Sequence, residues 1–237
     1  MYESSFRRGL QVLTCLVLFS SIGFAQSQDR AKLKNDLELL RTHLLQKETE
    51  FLAPAPEDRA QFAEFLVQPG TGLARLLPRE KYRETLSVRE GGAYYSFTKL
   101  SNSYDRDPQI GLEGEYLSTG FAGADFGFLA SLGDAPLESV GIDNPIVQYL
   151  ATFTAPTSEP EARDQQRRSG TGFVIGANRY KNRLPVIVGG SYVLRCVNYD
   201  RSDVLIAFRV VRQDTDGSLI LLWKKFREFP TPFLTRP

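Results

Sequence analysis

The chain is poor in the residues that carry most enzyme chemistry. Its 237 residues include one histidine, His43, and two cysteines, Cys15 and Cys196. Ser-His-Asp and Cys-His catalysis both need a histidine held against a nucleophile. A zinc site needs a cluster of His and Cys ligands. A single histidine cannot form such a cluster, and its helical position sets it about 100° from Leu44, on the polar side of the apolar stripe. Cys196 lies among apolar strand residues and reads as a small buried side chain. No catalytic residue, metal site or cofactor is therefore expected.

Other absences narrow the classes further. Gly170-Thr171-Gly172 is followed by Gly176 rather than by glycine at 175, so the dinucleotide-binding pattern is missing. Gly70-Thr71-Gly72 has no Lys-Ser/Thr after it, so there is no phosphate loop. Asp214-Thr215-Asp216-Gly217 fails as a calcium loop, because Arg212 and Trp223 would occupy positions that require oxygen ligands. The basic clusters, Arg167-Arg168 and Lys224-Lys225 with Arg227, are too short for the concentrated basic face that nucleic acid demands.

What is present begins with an address. Arg7 and Arg8 precede a mostly apolar run from Leu10 to Phe19, and Gly23 and Ala25 place small residues two apart. This is the pattern of a secretory signal, with cleavage expected after Ala25. A retained anchor is the alternative, but Leu10 to Ala25 falls short of the roughly 20 apolar residues a spanning helix needs. Arg7-Arg8 partly fits a twin-arginine signal, so the export route stays open. Arg7 and Arg8 against Glu3 account for the formal charge of +1, which leaves residues 26–237 near neutral. With Cys15 removed, no internal disulfide can form, and no Asn-x-Ser/Thr acceptor occurs. Both features suit a bacterial envelope, periplasmic or secreted.

Residues 26–237 are read as a single α+β domain, helical over 28–78 and β-rich over 85–229. Leu33, Leu37, Leu40, Leu44 and Phe51 recur at helical spacing and predict an amphipathic helix over 28–52, closed by Pro54 and Pro56. A second helix follows Pro56, and Leu73 to Leu77 is read as one more helical turn. From Thr85 the period changes to two, with strands expected at 86–88, 93–100, 110–117 and 128–132. Asn144-Pro145 opens a short helix. Ser158 and Glu161 form a capping box for a polar helix over 159–168. Three strands, 192–199, 204–211 and 219–226, form a closing meander with the middle strand central and a hairpin at Asp216-Gly217. Packing the N-terminal helices on this mostly antiparallel sheet would bury both apolar surfaces. The alternative for helix 28–52 is a partner helix, a homodimer included, since its stripe has near-heptad spacing.

The remaining functional clue is a crowd of aromatics and acids between residues 94 and 128. Tyr94, Tyr104, Asp105, Asp107 and Asp125 are the candidate ligand-binding residues, because aromatics beside acids and glycines can receive a sugar or another flat apolar ligand. Glu113 and Glu115 add acids on one strand face. The function expected is that of a non-enzymatic binding or interaction module of the cell envelope, taking a small molecule or an envelope protein. The alternative is a carboxylate-based hydrolase acting on envelope glycans.

Overall fold

The computed structural model describes residues 29–105 and 107–235, and the segment read as an export signal lies outside them. The chain divides into two compact units, Met1–Thr49 and Glu50–Pro237. Helix α1, residues 29–52, supplies the described part of the first unit and continues into the second. Leu33, Leu37, Leu40 and Leu44 are exposed to between 49% and 66%. Two short helices, α2 (Pro56–Gln61) and α3 (Ala63–Leu66), pack beside the sheet. Phe65 is buried with Leu73, Ile220 and Leu222, and Phe62 and Leu66 pack beside it. Asp58 fixes the start of α2 by accepting from the Ala55 amide at 3.2 Å and pairing with Arg212.

The second unit is built on a five-stranded antiparallel sheet. Its order is β1 (Thr71–Leu76), β11 (Leu219–Phe229), β10 (Ser202–Gln213), β9 (Ser191–Asn198) and β5 (Phe126–Gly133). The meander is as expected, with β10 at the centre and apolar on both faces. Val204, Ile206, Phe208 and Val210 point into one core and Leu205 into another. A strand buried on both faces reads as a continuous apolar run. The hairpin between β10 and β11 closes with the Gly217 amide donating to the Asp214 carbonyl at 2.9 Å. Asp216 secures it, accepting from the Ser218 hydroxyl and amide, the Tyr82 hydroxyl and Arg75. Burial pushes the Asp216 carboxyl up, but these donors outweigh it and hold its pKa at about 2.

Several segments differ from expectation, among them 110–117, which turns at Gly114 into two paired strands. Residues 71–76 form edge strand β1 rather than a helical turn. Gly72 makes this possible, because a Cβ there would stand 2.5 Å from the Trp223 ring that lies across it. Residues 86–88 form no strand, and the chain turns instead through a 3₁₀ segment at Arg89–Gly92. Strand 93–100 shrinks to β2 (Tyr94–Tyr95), because Ser96 pairs back to Ser101 across a tight turn.

A second sheet covers one face of the first. It runs β2, β3 (Ile110–Glu113), β4 (Tyr116–Ser118) and β8 (Arg183–Pro185), placing Tyr95, Ile110, Leu112 and Leu117 in the shared core. On the opposite face lie α5 (Pro145–Thr152) and α6 (Glu159–Thr171), through Val147, Leu150 and Ala162. Asn144 caps α5, its Oδ1 accepting from the Ile146 amide at 3.0 Å. At α6 the Ser158 hydroxyl donates to the Glu161 carboxylate at 2.7 Å. A two-stranded ribbon, β6 (Phe173–Ile175) and β7 (Asn178–Tyr180), completes the unit. The result is the α+β class with a dominant antiparallel sheet. No helix among the described residues is long and apolar enough to cross a membrane.

Candidate functional site

Four of the five predicted site residues meet at one end of the second unit. Tyr94 on β2 faces Gly111 on β3, and a Cβ at Gly111 would stand 2.6 Å from the Tyr94 ring. The missing side chain lets that ring settle against Tyr104 at 4.8 Å and Phe121 at 4.9 Å, both edge-on. Burial, then the hydrogen bond it donates to Glu113 Oε1 at 2.8 Å, pushes the Tyr94 hydroxyl up. Asp105 does not join them. It is 59% exposed and pairs outward with Arg89 at 2.5 Å, while the Arg89 guanidinium lies 4.9 Å over the Tyr104 ring.

Asp107 and Asp125 share one cation. Asp107 has a φ of 57°, a left-handed backbone that Asp tolerates better than most residues, and is buried. Its carboxylate accepts from Asn198 Nδ2 at 2.6 Å and Gln109 Nε2 at 3.1 Å. Asp125 Oδ1 accepts from the Tyr199 amide at 2.9 Å, and Oδ2 pairs with Arg201. Arg201 Nε also lies 3.9 Å from Asp107 Oδ1. Burial raises the Asp125 carboxyl, opposed by the Tyr199 amide and Arg201. Tyr104, Pro108, Phe121, Asp125, Asn198 and Arg201 line a cavity of about 20 Å³. That is room for about one water and too little for a sugar ring.

A larger concavity lies beyond the β9–β10 turn. Residues 151–157 and the C-terminal segment 229–235 bound a groove of about 650 Å³. The segment is tied across the sheet end at two points. The Asp200 amide donates to the Pro232 carbonyl at 2.9 Å, and the Thr235 amide to the Thr157 carbonyl at 2.7 Å. Tyr199 steadies the other wall, donating to the Pro156 carbonyl at 2.7 Å. The walls carry Phe153, Phe229, Pro230, Pro232, Phe233 and Leu234.

Arg195 and Asp203 lie at the base of this groove. They sit diagonally across the β9–β10 ladder, where Asp203 faces Val197 and Arg195 faces Leu205. Their contact is bidentate, at 2.7 and 2.8 Å. Arg195 Nη1 also donates to the Leu150 carbonyl at 2.5 Å, and the Phe229 ring stacks 3.4 Å from the guanidinium. Burial raises the Asp203 carboxyl, opposed by Arg195. Both charges are thus spent on each other, and the groove offers a ligand mostly apolar wall.

Sequence reasoning missed this groove. Two signals were present: an arginine inside the apolar run Tyr192–Val197, and the alternating prolines of Phe229-Pro230-Thr231-Pro232-Phe233. Among the described residues, no group of three or more His, Cys, Asp or Glu is placed to hold a metal ion. No protein-family model, no curated protein and no solved structure matches the chain.

Proposed function

We propose that the protein is an exported binding module of the cell envelope that holds an apolar small molecule or an apolar side chain of an envelope partner in the groove between residues 151–157 and 229–235. The observation that carries this reading is the groove itself. Its volume of about 650 Å³ suits a small ligand. Its walls carry aromatic and proline side chains set among threonines, and the buried charges Arg195 and Asp203 at its base are already paired. Phe233 stands 62% exposed at its rim and extends the apolar wall outward. The extracytoplasmic address rests on the charge, apolar run and small-residue spacing of residues 7–25. Near-neutral charge over 26–237 argues against nucleic acid as the partner. The exposed leucines of α1 support self-association as part of the same interaction role.

The test is a native mass spectrum of the protein taken from its own extracytoplasmic fraction. A discrete adduct is expected, reduced in the Phe233→Ser variant, and its mass would give the ligand class. A bare mass together with no response to a neutral apolar fluorophore would remove the reading. The glycan hydrolase is the weaker reading. Asp107 and Asp125 do face one guanidinium, but the space beside them holds no sugar. Turnover of a glycan by the purified protein, lost in Asp107→Asn, would reverse that ranking.

A further inference from the structure

We infer that α1 pairs with α1 of a second copy as a parallel coiled coil, an assignment that rests on the interaction role proposed above and gives that role an orientation. The apolar residues Leu33, Leu37, Leu40 and Leu44 follow a four-three-four spacing, the a and d positions of a heptad. All four are solvent-exposed on the helix. The same frame puts Arg30 and Phe51 at a, and Lys47 at d, so the apolar seam is centred on residues 33–44. Phe51 is occupied within its own chain, its ring 5.5 Å from Tyr82.

The flanking charges choose the partner and its direction. Asp29 and Asp36 fall at g, and Lys34 and Arg41 at e. In a parallel pair each g residue faces the e residue five positions on in the other helix. Asp29 then meets Lys34 of the second copy, and Asp36 meets Arg41 of the second copy, twice each by symmetry. An antiparallel pair with the leucines in register would set g against g and e against e, bringing Asp29 against Glu50 and Lys34 against Arg41 of the second copy. Lys34 also pairs with Glu38 within its own helix, at 3.7 Å and largely exposed. An exposed contact of that kind is weak and yields readily to a better-placed acid. Leu39 and Leu45, the other exposed leucines, lie at c and b, off the seam.

The orientation gives a sharp test. The purified protein is followed by sedimentation equilibrium over a hundredfold concentration range, with thermal melting to confirm that each variant is folded. A monomer–dimer equilibrium is expected, lost in Leu37→Asp and weakened at least severalfold in Asp36→Arg. The reciprocal exchange, Asp36→Arg with Arg41→Asp, is expected to restore it. A Leu37→Cys variant is expected to form a disulfide with its own counterpart under oxidised glutathione, since only a parallel pair brings the two a positions within disulfide reach. A dimer that never forms that link, or that ignores Asp36→Arg, overturns the parallel pairing and leaves the groove reading intact. A protein that stays monomeric across the range overturns self-association altogether. Loss of the groove adduct alone would strike the binding role and not this one.

Discussion

Arg195 and Asp203 take a full positive and a full negative charge into a sheet whose surrounding side chains are apolar. Two charges removed from water repay that cost only through good geometry and further hydrogen bonds, and here both are present. Removing one partner is the expensive change. Arg195→Met is expected to lower unfolding free energy by about 3–5 kcal/mol, measured by denaturant titration. The double variant Arg195→Met with Asp203→Leu is expected to recover most of that loss. The acid also sets a pH direction. Its folded pKa lies above its unfolded value, so its contribution is most favourable below about pH 4 and declines as pH rises through the folded value. The penalty of Arg195→Met should therefore shrink as pH falls.

Asp216 behaves in the opposite sense. Its folded pKa of about 2 lies below the ordinary value of 3.8. The stability it supplies is present above about pH 4 and is lost as pH falls towards 2. After solvent screening that contribution is on the order of 1 kcal/mol. In Asp216→Asn the part of acid destabilisation that falls between pH 4 and 2 should be reduced, and an unchanged profile would show that the hairpin donors do not act through this carboxylate.

At the scale of elements, the edge strand β1 depends on the absence of one side chain. Gly72→Val would drive a branched Cβ into the Trp223 ring, and overpacking of this kind costs about 1–3 kcal/mol. A melting curve comparing Gly72→Ala with Gly72→Val should show the larger loss for valine. This strand also illustrates which elements the sequence exposes to reading. The closing meander was legible because strands buried on both faces repeat branched and aromatic residues between clear turn signals. The α5 cap was legible because Asn144-Pro145 is a local motif. Strand β1 was not, because Leu73, Leu76 and Leu77 fit either period, and only the β11 partner, about 150 residues away in sequence, decides between them. Of the candidate site, the Tyr94, Tyr104, Asp107 and Asp125 grouping was legible as a local crowd. Asn198 and Arg201, which complete it, come from a distant turn, and no local pattern announces them. The groove was hidden for the same reason: its two walls are about 75 residues apart in sequence and meet only across the end of the sheet.

For the molecule as a whole, the core and the groove are separable. The main sheet is buried by the second sheet on one face and by α5 and α6 on the other, and the segment 230–235 adds to that core only the half-buried Leu234. Ending the chain at Phe229 removes the ties to Asp200 and Thr157, two backbone hydrogen bonds worth about 1 kcal/mol each. A cooperative transition of nearly unchanged steepness in urea, with a slightly lower midpoint, is the expected outcome. Binding of any groove ligand should be abolished by the same truncation.

The lone thiol of the described chain lies in β9, fully buried, with Sγ 3.2 Å from Asn198 Oδ1. Burial pushes the thiol up, far from the reactive thiolate. Central strands open only with the global transition. Cys196 is consequently a built-in clock. In native buffer a thiol reagent should modify it no faster than the whole sheet comes apart, so the labelling rate, read without denaturant, measures how often the intact protein visits its unfolded state.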